Sequence, residues 1–203
     1  MMEQSLDLLA DAGIRFSDDV ATSRKLIFDA EDGNHRVVLV KPADVPTYVE
    51  YGAADAGIAG LDVVLESRAD LVQPLVLDFG RCKLAVAAPR GVALSASENP
   101  TVRVATKYPH IAMEYFNGRG IPVEIIYLSG SIELAPLLGL ADRIVDLVES
   151  GRTLKENGLE IVEVIAESSA RLLVNRASYQ TKREEVLKFI ETLNKARSCA
   201  SSI

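Results

Sequence analysis

Strand-sized apolar runs alternate with short helical stretches along almost the whole chain, and that alternation constrains the fold more than any other feature of the sequence. Residues 71–77, 82–88, 102–106, 123–128, 143–148, 160–166 and 170–175 are apolar, rich in β-branched side chains and too short for buried helices, so they read as strands. Between several of them lie stretches with helical character: 111–117, which Gly118 and Gly120 end, then 133–138 and 153–157. Earlier in the chain, Leu6, Leu9 and Ala10 recur at helical spacing in 4–12 and Gly13 supplies a stop, while 25–30 and 36–40 flank Asp32-Gly33 and read as a hairpin. Pro46 opens a short helix through 47–51, the small residues of 56–60 form a strand, and 61–66 returns to helix. Residues 182–197 carry Val186, Phe189, Ile190 and Leu193 on one face of a closing amphipathic helix.

A chain of this kind buries parallel sheets under helices on both faces, which makes it α/β. Residues 89–100 gather Pro, Gly, Ser and Asn and interrupt the pattern, so two lobes with a ligand cleft between them are expected. The 203 residues suffice for two small lobes. A net charge of −7 argues against a general nucleic-acid binder, which needs a broad basic surface, so any anionic ligand must be held locally. The longest apolar runs, such as 84–89 and 161–166, fall far short of the roughly 20 residues that cross a bilayer. Residues 1–11 show no basic stretch leading into an apolar segment, and a cytoplasmic location is expected. Cys82 and Cys199 have no partner at metal-ligand spacing, so each is expected to be a buried thiol and no metal site is expected in the chain itself.

The most informative segment runs from Asp146 to Leu154, an apolar strand entering a polar turn, Ser150-Gly151-Arg152-Thr153, and then a helix start. Unpaired amides at such a start, with Gly151 permitting close approach and Ser150 and Thr153 adding hydroxyls, can cradle a phosphate. Taken alone, the same four residues read more readily as a helix cap. Upstream, Ser129-Gly130-Ser131-Ile132-Glu133-Leu134-Ala135-Pro136 continues into Gly139-Leu140-Ala141-Asp142 and Arg143-Ile144-Val145-Asp146, one continuous block with two Gly-containing loops.

This block resembles that of the ATP phosphoribosyltransferases, in which a Glu before Pro is followed by G-x-A-D, I-V-D and S/T-G-x-T-L. The resemblance extends to Asp44-Val45-Pro46, Gly52-Ala53-Ala54-Asp55, Gly57-Ile58, Gly80 with Cys82, and Ala105-Thr106-Lys107-Tyr108-Pro109-His110. It implies a fold similar to type II periplasmic binding proteins, with residues 1–93 and 170–203 forming one discontinuous lobe and 94–169 the lobe that carries the phosphoribosyl pyrophosphate loop. It also implies transfer of the 5-phosphoribosyl group to N1 of ATP, the first step of histidine biosynthesis, with Mg²⁺ accompanying the substrate pyrophosphate. Carried over by position, Glu133 and Asp146 are candidates for the ribose side. Ser150, Gly151, Arg152, Thr153 and Leu154 are candidates for the 5′-phosphate cradle, and Lys107 and Tyr108 for the nucleotide side. The chain is similar to the short form of the family, which implies a hetero-oligomer with a regulatory subunit related to histidyl-tRNA synthetase and little activity alone.

Lys41 stands where the family has Arg. Asp55 and Asp62 are as readily turn caps as ligand contacts, Glu133 also reads as a helix N-terminal carboxylate, His110 as a cap or packing residue, and His35 as solvated surface. The family opens with an apolar strand and P-K-G-R, whereas this sequence starts in the helix that follows, so an upstream start is expected. The alternative is a non-catalytic ligand-binding or scaffold subunit of the same fold.

Overall fold

The computed structural model describes residues 1–16, 20, 22–91 and 101–200. The side chain of Cys199 and most of the loop ending at Pro100 lie outside the described residues or side chains. Two compact units emerge, Met1–Gly80 with Ser169–Ile203, and Arg81–Ser168. The boundary expected near residue 93 is thereby corrected: strand β5 (Cys82–Pro89) belongs to the second unit, because its hydrogen-bonding partners are there.

The first unit contains α1 (Met2–Asp11), the hairpin of β1 (Ile27–Asp29) and β2 (Arg36–Val38), α2 (Val45–Glu50), β3 (Ala56–Gly60), α3 (Leu61–Ser67) and β4 (Val72–Val76). After the excursion through the second unit come β10 (Ala170–Val174), α7 (Arg176–Thr181) and α8 (Arg183–Ala200). The expected closing helix is thus preceded by a separate helix, α7, which the sequence reading missed. Its opening is set by Asn175, whose side chain accepts from the Ser178 amide.

The sheet order is β3-β10-β4, and β10 is antiparallel to both neighbours. Fully parallel pairing was expected here. Helix α3 does carry the chain from β3 to a strand of the same direction, β4, but β10 is inserted between them and runs the other way. Its side chains alternate between two cores. Leu172 and Val174 join Leu8 of α1 and Val186 and Leu193 of α8, while Leu173 joins Val49 of α2 and Val64 of α3. Gly57 of β3 lets α2 approach closely: a Cβ there would lie 2.7 Å from Val45 Cγ1 and 2.8 Å from Val49 Cγ2. His35, read as solvated surface, keeps 40% of its side chain exposed, lies within hydrogen-bonding distance of Asp32 and has its ring 5.8 Å from that of Phe189.

The second unit contains β5, β6 (Val102–Thr106), α4 (Pro109–Asn117), β7 (Val123–Tyr127), α5 (Leu134–Leu137), β8 (Arg143–Val148), α6 (Arg152–Glu156) and β9 (Leu159–Ser168). Its sheet order is β7-β6-β8-β5-β9. β6 is parallel to both β7 and β8, as the alternation predicts, and β5 is antiparallel to β8 and β9. β5 breaks the pattern because it arrives from the first unit without a preceding helix to reverse the chain. Helix α4 covers one face through Ile111, Ala112, Tyr115 and Phe116, and α5 and α6 cover the other through Ala135 and Leu154.

Asn175 ties the first unit together. Its Nδ2 donates to the carbonyls of Val49 at 2.8 Å and Glu50 at 3.0 Å in the last turn of α2, where the Val49 carbonyl also accepts from the Gly52 amide at 3.1 Å. Asp55 anchors α7 by accepting from Ser178 Oγ at 2.6 Å and Lys182 Nζ at 2.8 Å, a larger role than the turn cap expected of it. Asn175→Ala is expected to lower stability by about 1–3 kcal/mol, since the Val49 and Glu50 carbonyls each lose the Asn175 donor and α7 loses its cap. A shift of the denaturant midpoint at constant slope measures it.

Candidate active site

The loops that follow β6, β7 and β8 all leave the carboxyl ends of neighbouring parallel strands, the edge where open α/β sheets hold ligands. Lys107 and Tyr108 follow β6, Glu133 lies between β7 and α5, and Ser150 to Leu154 follow β8. Register decides what meets there. Thr106 stands opposite Val145, so Lys107, one residue on, lies beside Asp146.

Lys107 Nζ is 3.3 Å from Asp146 Oδ1 and 5.2 Å from the centroid of the Tyr108 ring. The same Asp146 Oδ1 accepts from the Leu147 amide at 2.8 Å. Along β8, Ile144 and Val148 are in the core beneath α5 and α6, and strand alternation puts Asp146 on their face of the sheet. Ile132, adjacent to Glu133, and Leu154 belong to that same core. Asp146 and the Gly151 turn therefore share one face. Glu133 is half-buried and stands at the N-cap position of α5 without a side-chain capping bond, the helix N-terminal placement that was its alternative reading.

In the turn, Gly151 has φ +71°, a left-handed conformation in which the Cβ of another residue would crowd the backbone, and Ser150 Oγ accepts from the Arg152 amide at 3.4 Å. Ser150, Arg152 and Thr153 are exposed, whereas the Leu154 side chain is buried at 5% exposure. Leu154 can offer a phosphate its main-chain amide but not its side chain. Tyr108 is corrected similarly: its ring is 6% exposed and packs with Val104, Ile111 and Phe116, so little of it is open to a nucleotide. Cys82 is half-buried, less enclosed than expected.

The sequence reading missed two buried polar groups of this sheet. Thr106 is fully buried; its Oγ1 donates to the Val145 carbonyl at 2.7 Å and accepts from the Tyr108 amide at 2.9 Å. A Thr ending a strand carries no mark of that role. Arg143 is buried at 0% exposure at the start of β8, where burial pushes its guanidinium pKa down and the Asp142 charge opposes the shift. Only the tertiary fold reveals such a residue. Asp142, acidic within the motif, is structural: it accepts from the Arg103 amide at 2.8 Å and from Arg103 Nη2 at 3.0 Å, pinning β8 to β6.

The model of the HisG family, ATP phosphoribosyltransferase, matches residues 41–195. The chain belongs to the ATP phosphoribosyltransferase family. It is 49% identical over 197 residues to ATP phosphoribosyltransferase 2 of Geobacter sulfurreducens, covering 96% of this chain and 93% of that one. It is 52% identical over 198 residues to the ATP phosphoribosyltransferase of Acidithiobacillus ferrooxidans, covering 95% and 91%. Among solved structures it is similar to the ATP phosphoribosyl transferase HisG:HisZ complex of Thermotoga maritima, with a TM-score of 0.85 and 38% identity over 97% of this chain and 93% of that chain. The alkanesulfonate-binding protein SsuA of Xanthomonas axonopodis aligns with a TM-score of 0.51 at 17% identity, covering 78% and 61%. That likeness extends to the fold alone, and it bears out the periplasmic-binding-protein class expected for this phosphoribosyltransferase.

Burial works to raise the Asp142 carboxyl, but hydrogen bonds and charge from Arg103 outweigh it and hold the pKa below the usual carboxylate value. A depressed folded pKa gives stability that is present above the unfolded value, near 4, and is lost as pH falls through the folded one. Asp142→Asn is therefore expected to unfold at a lower midpoint than the unsubstituted chain at pH 7, with the gap closing on acidification below about pH 4. Denaturant titrations across pH 2–8 check this, and a gap independent of pH would contradict it.

Proposed function

We propose that this protein transfers the 5-phosphoribosyl group of phosphoribosyl pyrophosphate to N1 of ATP, giving phosphoribosyl-ATP and pyrophosphate in the first step of histidine biosynthesis. The observation that carries the reading is membership of the ATP phosphoribosyltransferase family over nearly the whole chain, with the motif residues gathered at one sheet edge.

The adenine N1 lone pair attacks the anomeric carbon of the ribose as the bond from that carbon to the pyrophosphate oxygen breaks. Positive charge develops on the sugar, and pyrophosphate takes the bonding electrons. The protein's part is positioning and charge. Asp146, on the sheet face beneath α5 and α6, and Glu133, just before α5, supply carboxylates that stabilise the cationic ribose and accept from its hydroxyls. The turn from Ser150 to Leu154 receives the 5′-phosphate through backbone amides and the Ser150 and Thr153 hydroxyls. Helix α6 has only five residues, so its dipole contributes little and local N–H donors are the main attraction. Lys107, beside Asp146, supplies the positive charge nearest the nucleotide. Mg²⁺ bound to the substrate pyrophosphate would supply neutralising charge to the leaving group.

The likeness to the Thermotoga maritima HisG:HisZ complex supports a hetero-oligomer with a regulatory subunit related to histidyl-tRNA synthetase. Among the described residues no helix is long and apolar enough to cross a membrane, which agrees with a cytoplasmic site of action for a biosynthetic enzyme.

Phosphoribosyl-ATP formation, followed by absorbance with and without that subunit, tests the proposal. Product is expected with the partner and little from this chain alone. Asp146→Asn and Glu133→Gln should each lower kcat by about 10²–10³-fold, the scale of a lost transition-state electrostatic contact. Absence of product under all conditions, with phosphoribosyl pyrophosphate still bound, would instead identify a binding subunit.

A further inference from the structure

The buried hydroxyl of Thr106 lies behind the candidate site without reaching its surface. Parallel pairing of β6 with β8 ends at Thr106 and Val145. The Thr106 hydroxyl adds a side-chain tie at that end. It donates to the Val145 carbonyl across the strands at 2.7 Å and accepts from the Tyr108 amide in its own chain at 2.9 Å. Lys107 lies between the two residues so joined, and Asp146 directly follows Val145. One hydroxyl thus fixes the backbone on both sides of the 3.3 Å contact between Lys107 Nζ and Asp146 Oδ1.

We propose that Thr106 is a positioning residue for phosphoribosyl transfer, a clamp that holds Lys107 across from Asp146 before substrate arrives. This rests on the transferase reading above. Thr106 touches no substrate; it acts by denying the β6 and β8 ends the freedom to separate. The hydroxyl is what matters, because a valine of the same shape would keep the packing and lose both bonds. Serine would keep both.

The test measures kcat, KM and binding of phosphoribosyl pyrophosphate for the complete complex with its regulatory subunit, in Thr106→Val, Thr106→Ser, Lys107→Ala and Thr106→Val/Lys107→Ala. Thr106→Val is expected to lower kcat on the order of 10–100-fold, as small misplacements of reacting groups do, and Thr106→Ser to stay within about threefold of the unsubstituted complex. In the Lys107→Ala background, Thr106→Val should add less than about a twofold further loss, because the contact it positions is already gone. Should Thr106→Val fail to fold, Thr106→Ala with the same lysine background carries the comparison. Unchanged kcat in a folded Thr106→Val complex, a serine variant as impaired as the valine one, or fully multiplicative losses in the double variant would each overturn the clamp. Failure of the unsubstituted complex to form product would overturn the transferase reading instead.

Discussion

The parallel pairing of β6 with β8 covers three residue pairs, Val104 with Arg143, Ala105 with Ile144 and Thr106 with Val145, and the chemistry proposed for the second unit is set out from it. A slip of one residue would turn Asp146 away from α5 and α6 and part it from Lys107, since strand side chains alternate faces. The register is held at both ends by different means. At the start, Arg103 and Asp142 exchange backbone and side-chain hydrogen bonds; at the finish, the Thr106 hydroxyl spans the two chains. Between them lie residues of 0% exposure, Val104, Ala105, Ile144 and Val145, for which any other register would bury a polar group or expose an apolar one.

The first unit solves a comparable problem with β10. A short central strand has no solvent face, so its sequence, Ala-Arg-Leu-Leu-Val, lacks the polar alternation of an edge strand, and Leu172, Leu173 and Val174 are all essentially inaccessible. Helices α1 and α8 cover one face and α2 and α3 the other. Asn175, placed directly after this strand, then turns the chain into α7 while bonding the end of α2.

Much of this was legible beforehand because apolar run length and Gly punctuation report local backbone preference directly. β3, β6 and β8 begin and end where their side-chain patterns do. Strand direction was not legible for β5 and β10. Both are apolar runs like their neighbours, and their antiparallel insertion depends on the chain crossing between units, which no local pattern encodes. At the candidate site, the motif block singled out Glu133, Asp146 and the Gly151 turn. It could not disclose that Leu154 and Tyr108 spend their side chains on the core, nor that a hydroxyl at Thr106 would be wholly enclosed, because burial belongs to the assembled sheet. α7 escaped notice for a related reason: its few residues are mostly polar, and its start depends on an Asn held by contacts with residues more than a hundred positions earlier.

The insertion of β10 between β3 and β4 has a consequence for the order in which the protein comes into being. The second unit is one unbroken stretch from Arg81 to Ser168 and holds all five strands of its own sheet, whereas the first lacks its middle strand until Ala170 and the residues after it exist. During synthesis β3 and β4 emerge early with nothing between them to pair, so the part of the chain made first is the part finished last. The nascent amino-terminal half must wait, its apolar strands unsatisfied, for a segment that follows a complete neighbour out of the ribosome.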